Sequence, residues 1–315
     1  MEKLLKIENI NVDNDGTRIL KDICLELDEG EIIGIIGESG CGKSTLIRAI
    51  IGMPGDKESI IEGKINFKEN NLVDISEEEF NKIRGSQMGI VFQNPASTLN
   101  PTKKIGKQFI EVIRSHGKMK KSECIKRSLD ILEKLNLTDG RCILDSYPFE
   151  MSGGMNQRIA IALSMILNPK ILIADEPTSA LDPTIQSQVI NEMINIKEKF
   201  NTSIIIVTHS MEVISKIADR VAVMYNGEII EYGNKEDILN NPVHPYTKAL
   251  LESVPKINGE LPKGIKWNPP YFDKDIKGCS FYDRCSVSRD KCNKYRQNLH
   301  EYKNGHYVRC NVMEK

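Results

Sequence analysis

The chain has 315 residues with 43 Lys or Arg against 44 Asp or Glu, a formal net charge of -1 at pH 7 that removes any electrostatic argument for nucleic acid as a partner. Its longest apolar runs, such as Ile159 to Leu167, fall far below the roughly 20 residues that a membrane-spanning helix needs. Met1-Glu-Lys-Leu-Leu-Lys6 lacks the n-region, h-region and cleavage site of a signal peptide, so a cytoplasmic location is expected, and eight cysteines there argue against a disulfide framework.

Strand-like stretches at Leu4 to Ile10 and Ile23 to Leu27 lead into the apolar run Ile32-Ile-Gly-Ile-Ile36, which reads as a buried strand. Next come Gly37, Glu38, Ser39, Gly40, Cys41, Gly42, Lys43, Ser44 and Thr45, and then helical sequence to Ile51. The form G-x-x-x-x-G-K-S between a strand and a helix is a nucleotide phosphate cradle. Its glycines let the backbone aim several N–H groups at one anion, and the helix N-terminus adds partial positive charge. Lys43 then reaches the outer phosphates and the Ser44 hydroxyl ligates the accompanying magnesium. Cys41, beside that helix end, is expected to be accessible and easier to ionise than an ordinary thiol. The other cysteines of the first half, Cys24, Cys124 and Cys142, read as small buried hydrophobes.

A further strand is expected at Gly63 to Phe67. Gln93, just after Gly89-Ile-Val-Phe92, sits at a strand end from which its amide reaches a metal ion. From Asn94 to about Leu144 the sequence is charge-rich and helix-forming, as in Ser122 to Leu135. With the helix that follows, this forms a helical insert over about residues 94–165. Met151-Ser-Gly-Gly-Met-Asn-Gln-Arg158 precedes the apolar helix Ile159 to Leu167, so Ser152, Gly153 and Gly154 make a second anion-facing helix end.

Ile171-Leu-Ile-Ala-Asp175-Glu176 puts two carboxylates at the C-terminal end of a buried strand, where open α/β sheets bind ligands. Asp175 is placed to hold magnesium and Glu176 to polarise the water that attacks a γ-phosphate. Helical sequence at Thr184 to Phe200 and a strand at Ser203 to Val207 complete the crossover pattern of a parallel sheet. His209 follows two residues later at the same edge, within reach of a γ-phosphate. Prolines accumulate between Asn240 and Pro270, and a boundary falls near Pro255.

Cys279, Cys285, Cys292 and Cys310 follow the spacing C-x5-C-x6-C-x17-C, four soft ligands that suit an iron–sulfur cluster or tetrahedral zinc, although no C-x2-C knuckle is present. Residues 277–315 hold nine Lys or Arg against four Asp or Glu. That excess reads as a solvated surface or as a face toward lipid headgroups or a partner.

Taken together, these residues resemble the ATP-binding subunit of an ABC transporter. The resemblance implies that Gly37 to Thr45 is the Walker A loop, Gln93 the Q-loop, Ser152-Gly-Gly154 the signature, Asp175-Glu176 the Walker B pair, Asp182 of Ser179-Ala-Leu-Asp182 the D-loop residue and His209 the switch histidine. Gln93-Asn-Pro-Ala-Ser-Thr-Leu-Asn-Pro101, Met155 and Asn241-Pro-Val-His-Pro-Tyr-Thr-Lys-Ala-Leu-Leu251 are similar to the oligopeptide, dipeptide and nickel importer branch. The implied fold is a P-loop NTPase of ABC type: a mostly parallel core sheet, an antiparallel β subdomain and a helical subdomain over 1–255, with a small cysteine-rich extension over 256–315.

The resemblance also implies ATP and Mg2+ as ligands, a 4Fe-4S cluster on the four tail cysteines, and a peripheral place at the cytoplasmic face of the membrane. The implied partners are two membrane-spanning permeases, a second ATP-binding subunit paired head to tail and an extracytoplasmic substrate-binding protein, with no nucleic acid. The activity implied is ATP hydrolysis powering import of di- or oligopeptides. The alternatives are a nickel or metal-complex importer of the same branch and a soluble ABC-type ATPase acting on nucleic acid. One departure from the family is that no Phe, Tyr, Trp or His precedes residue 37, which leaves Val12, Arg18 or Ile19 to cover the adenine.

Overall fold

In the computed structural model the described residues are 3–94, 98–179, 181–253, 265, 272 and 276–310. The expected boundary near Pro255 lies outside them. In chain order the elements are β1 (Leu5–Asn14), β2 (Thr17–Leu27), β3 (Ile32–Ile36), α1 (Lys43–Ile50), β4 (Glu58–Phe67), β5 (Asn70–Asn71), α2 (Glu77–Ile83), β6 (Met88–Val91), α3 (Ile105–Ser115), α4 (Lys121–Lys134), α5 (Gly140–Asp145) and α6 (Gly153–Met165). There follow β7 (Ile171–Asp175), α7 (Pro183–Phe200), β8 (Ser203–Thr208), α8 (Met211–Ile217), β9 (Arg220–Tyr225), β10 (Glu228–Asn234), α9 (Lys235–Asn240), α10 (Pro245–Glu252), α11 (Asp290–Lys294), β11 (His300–Lys303) and β12 (His306–Val308).

Two compact units emerge: Met1–Leu27 with Ile33–Asp74 and Thr208–Lys315, and Asp28–Ile32 with Ile75–Val207. In the first, an antiparallel sheet runs β2-β1-β4-β5. Its opening hairpin turns at Asp15-Gly16, a sequence that favours a two-residue loop. The same unit holds the strand order β11-β12-β10-β9-β3, antiparallel except for the parallel β3–β9 pair. Every residue of β3 is buried, so its uninterrupted apolar run is what a doubly covered strand requires.

The β9–β10 hairpin has no counterpart among the sequence expectations. Its signal is Asn226-Gly227 between apolar runs, with φ of 46° and 80°, the left-handed pair of a type I′ turn.

The second unit carries β8, β7 and β6 in parallel register, with Asp175 opposite Val207 and Ala174 opposite Val91. All three strands therefore end along one edge. The helical insert is realised as α3 to α6. Among the described residues no helix is long and apolar enough to cross a membrane.

The first unit is closed by buried polar contacts that the sequence does not announce. Glu231 on β10, fully buried, accepts hydrogen bonds from Val243 N (2.6 Å), His244 N (2.9 Å) and His306 Nε2 on β12 (2.8 Å). His244 in turn caps α10, its Nδ1 accepting from Tyr246 N at 3.0 Å. An accepting Nδ1 is an unprotonated nitrogen, and burial pushes the imidazole down to about 4 against the upward pull of Glu231.

A histidine depressed in the folded state contributes stability that is complete above its ordinary value near 6.5 and is lost as the pH falls toward 4, at most ~3 kcal/mol. Chemical denaturation at stepped pH should show that decline. His244→Asn, which keeps a capping acceptor but cannot titrate, should flatten it, whereas an unchanged acid limb would place the titrating group elsewhere.

Candidate nucleotide site

Residues 37–42 join β3 to α1 as a tight loop. A Cβ on Gly37 would stand 2.2 Å from the Met224 carbonyl oxygen, so the chain passes there only without a side chain. Gly42 opens α1 in the left-handed region, at φ 105°. Lys43 is buried and bends back over its own loop, donating to the carbonyl oxygens of Gly37 (2.8 Å) and Glu38 (2.9 Å). No carboxylate among the described residues lies within ion-pair distance of it. A buried ammonium held by neutral carbonyls beneath a helix N-terminus is a cradle for an anion.

Ser39, Gly40 and Ser44 are exposed. Thr45 is buried instead, and its hydroxyl donates to Glu58 Oε1 at 3.2 Å, with Arg48 on the same carboxylate.

Cys41 overturns its expectation. Its side chain is buried, and its Sγ lies 3.8 Å from Lys43 Nζ. Burial pushes the thiol up, outweighing the downward pull of Lys43. The helix end expected to activate it is present two residues on, but desolvation dominates.

In the second unit, parallel register brings the ends of β6 and β7 side by side, so Gln93 lies two residues past Val91 and Asp175 directly after Ala174. Gln93 is exposed, while Asp175 and Glu176 are half-buried. Glu176 has φ 49°, unusual for a non-glycine residue, and its N–H donates to Val207 O at 2.8 Å. That bond fixes the turn carrying the carboxylate. His209, exposed, follows β8, and Ser210 after it caps α8 through Val213 N.

Ser152 is the N-cap of α6 and accepts from Met155 N at 3.2 Å, leaving Ser152 and Gly153 exposed at the helix start. The helix is anchored by Arg158, which pairs with buried Glu192 on α7 and donates to Leu135 O at 3.3 Å. Burial pushes the Glu192 carboxyl up to about 7 against the pull of Arg158. Asp182 caps α7, accepting from Thr184 N (3.0 Å) and Ile185 N (3.1 Å). Gly37 to Thr45 and His209 belong to the first unit, and Gln93, Ser152 to Gly154, Asp175, Glu176 and Asp182 to the second.

The sequence matches the family described as ABC transporter over residues 20–179. The chain belongs to this family of ATP-binding subunits. Residues 230–292 match the oligopeptide/dipeptide transporter C-terminal region, and residues 145–215 a model described as an AAA domain, putative AbiEii toxin, Type IV TA system. The chain is 38% identical over 322 residues to the oligopeptide transport ATP-binding protein AppD of Bacillus subtilis, covering 100% of this chain and 98% of that protein. It is 40% identical to the dipeptide transport ATP-binding protein DppD of Lactococcus lactis (90% and 83% covered) and 39% identical to OppD of Escherichia coli (92% and 88% covered). Among solved structures, CbiO1 of Clostridium perfringens, part of an ABC transporter complex, superposes with a TM-score of 0.68 at 30% identity, covering 76% of this chain and 92% of its own. The ABC transporter cassette MJ0796, dimeric with ADP and Pi, gives 0.64 at 28% identity, with 73% and 98% covered.

This ATPase departs from its sequence expectations in the tail. Cys279 N donates to Cys292 O at 2.7 Å, so two of the four cysteines are backbone neighbours. Yet no group of three or more His, Cys, Asp or Glu among the described residues is arranged to hold a metal ion. The thiols are instead drawn into the fold: Cys310 packs with Val243 and Val308, and burial pushes Cys279 up to about 12.

Nor is the tail's positive excess simply a solvated or partner-facing surface. Arg284 and Arg309 turn inward onto Glu38 and Asp22, while Arg296 pairs from the surface with buried Glu228. The base-covering role offered to Val12 fails as well, because that side chain is buried. The cavity beside the β1–β2 hairpin, about 430 Å³, is lined by Thr17, Arg18, Lys21 and Phe272, an aromatic supplied from far along the chain.

Because Cys41 is both buried and hard to ionise, a maleimide should modify it far more slowly than exposed Cys142, read by peptide mapping of briefly labelled protein. Labelling of Cys41 at the rate of Cys142 would contradict the loop geometry.

Proposed function

We propose that this ATPase powers import of di- or oligopeptides through a membrane transporter. The observation that carries the nucleotide part is the buried Lys43 ammonium inside a glycine loop at a helix N-terminus. The peptide part rests on the printed functions of AppD, DppD and OppD and on the match of residues 230–292.

In this reading Gly37 to Thr45 hold the phosphates. Ser44, Gln93 and Asp175 offer hydroxyl, amide and carboxylate oxygens, a hard donor set that suits Mg2+. The ion, when bound, neutralises charge on the transferring phosphoryl group. Glu176 orients and polarises the attacking water, and His209 contacts the γ-phosphate. Ser152, Gly153 and Gly154 complete the site of a second ATP-binding subunit, with Asp182 beside them. Dimeric MJ0796 supports that pairing.

The partners are two permease subunits, a second ATP-binding subunit and an extracytoplasmic binding protein, and the chain works as a peripheral subunit on the cytoplasmic face. The domain assignment, 1–255 for ATP and 256–315 for the extension, belongs to the same reading.

Glu176→Gln should bind ATP with wild-type affinity yet lose at least ~100-fold in turnover, trapping an ATP-bound dimer visible by size-exclusion chromatography. Near-wild-type hydrolysis would remove Glu176 from its role.

The 4Fe-4S reading of Cys279, Cys285, Cys292 and Cys310 rests on spacing and family likeness. Its expected outcome is anaerobically purified protein that is brown, absorbs at about 400 nm and is bleached by Cys285→Ser. Colourless protein without iron would dismiss it.

A further inference from the structure

Glu38 is the one acid within the phosphate loop, and it is gripped from two sides by residues far along the chain. Its carboxylate receives a fork from Arg284, with Nη1 to Oε2 at 2.7 Å and Nη2 to Oε1 at 2.8 Å. Its backbone N–H donates to the Tyr246 hydroxyl at 3.0 Å. The Arg284 side chain is only 4% exposed, against 25% for Glu38. Arg284 Nη1 also reaches the Tyr225 hydroxyl at 3.2 Å, and the guanidinium lies 5.6 Å and 5.8 Å from the rings of Tyr225 and Phe281. Those rings and Tyr246 pack on one another at centroid distances of 4.6 to 5.4 Å. The pair holds the guanidinium well above the usual arginine range, Glu38 being the main cause.

A carboxylate in a loop that must cradle a triphosphate opposes its ligand. The repulsion is strong at the short distances and reduced dielectric of such a site, and grows with each phosphate. A planar fork that neutralises the carboxylate and pins it removes this penalty more completely than a flexible ammonium would.

We propose that Arg284 is a positioning residue for the nucleotide: it neutralises Glu38 and holds that carboxylate away from the phosphate cradle, so a residue of the C-terminal extension sets triphosphate affinity. The turn that carries it, Phe281 to Cys285, closed by Arg284 N to Phe281 O (3.1 Å) and Cys285 N to Tyr282 O (3.2 Å), is thereby coupled to nucleotide occupancy. This rests on the reading of residues 37–45 as the phosphate loop.

The test is direct binding of MgATP, MgADP and AMP to the full chain by calorimetry. Arg284→Gln should weaken ATP by about tenfold, ADP by less and AMP hardly at all, and the ATP deficit should shrink in ~0.5 M salt. Glu38→Gln/Arg284→Gln should recover most of the lost affinity, because no charge then faces the phosphates. Unchanged ATP affinity in the single variant, an equal loss for all three nucleotides, or a double variant as weak as the single one would each overturn the proposal.

Should Arg284→Gln not fold, Arg284→Lys carries the test, since it keeps the charge and loses the fork. A threefold loss, in round terms about 3-fold, is then expected for ATP, and wild-type affinity would overturn the proposal. Lys43→Ala separates the two readings. If it binds ATP like the wild type, the phosphate-loop reading fails, whereas a Lys43→Ala defect beside an unaffected Arg284→Gln sinks only the role of Arg284.

Discussion

Carboxylates buried in the first unit are the constraint on which its organisation depends. Glu231 is fully buried, Glu228 is 3% exposed, and Glu38, in the loop of residues 37–42, is half-buried at 25%. A charged carboxylate removed from water is tolerated only with partners of good geometry. The side-chain partners come from late in the chain: His306 for Glu231, Arg284 for Glu38, and Arg296 (2.5 Å) with Ser280 (2.7 Å) for Glu228. Cutting away residues 276–310 would leave several carboxylates without counter-groups, a cost of several kcal/mol each. The extension is therefore part of the fold of this unit rather than an ornament on it.

The same bonds connect a segment remote in sequence to the loop of residues 37–42. From β12 the path runs through Glu231 to His244, through the α10 cap to Tyr246, and from its hydroxyl to Glu38 N–H. Each contact is individually modest, about 1 kcal/mol net for a neutral pair, but each also fixes a backbone position. Fixing the loop before ligand arrives lowers the entropy lost on binding. In the second unit Arg158 does comparable work for α6, tying it to α7 and to the end of α4.

Burial also decides how the cysteines behave. Cys41, beside a helix N-terminus that favours ionisation, and Cys279, one of four spaced soft ligands, share one outcome: desolvation favours the neutral thiol in both. For Cys41 position in sequence suggests access and the structure denies it, because solvent access is a property of what packs on top. Against Cys41 lies the Gly227 turn, whose N–H donates to Cys41 O at 2.9 Å.

What the sequence by itself determined is the part set by local rules. The phosphate loop is written in contiguous residues because strand, glycine turn and helix N-terminus must follow one another to make it. The strands ending at Asp175 and Val207 are legible as short apolar runs, and the caps Ser152 and Asp182 as side chains suited to orphan N–H groups. The β9–β10 hairpin is legible through Asn226-Gly227. Tertiary structure alone decided that Arg284 meets Glu38, that Arg309 turns inward onto Asp22, that Phe272 reaches the β1–β2 hairpin and that Cys41 is shielded. These pairings join residues as many as 287 positions apart, as for Arg309 and Asp22. No periodicity or spacing records such a contact, since it exists only once the sheet has brought distant segments to one edge.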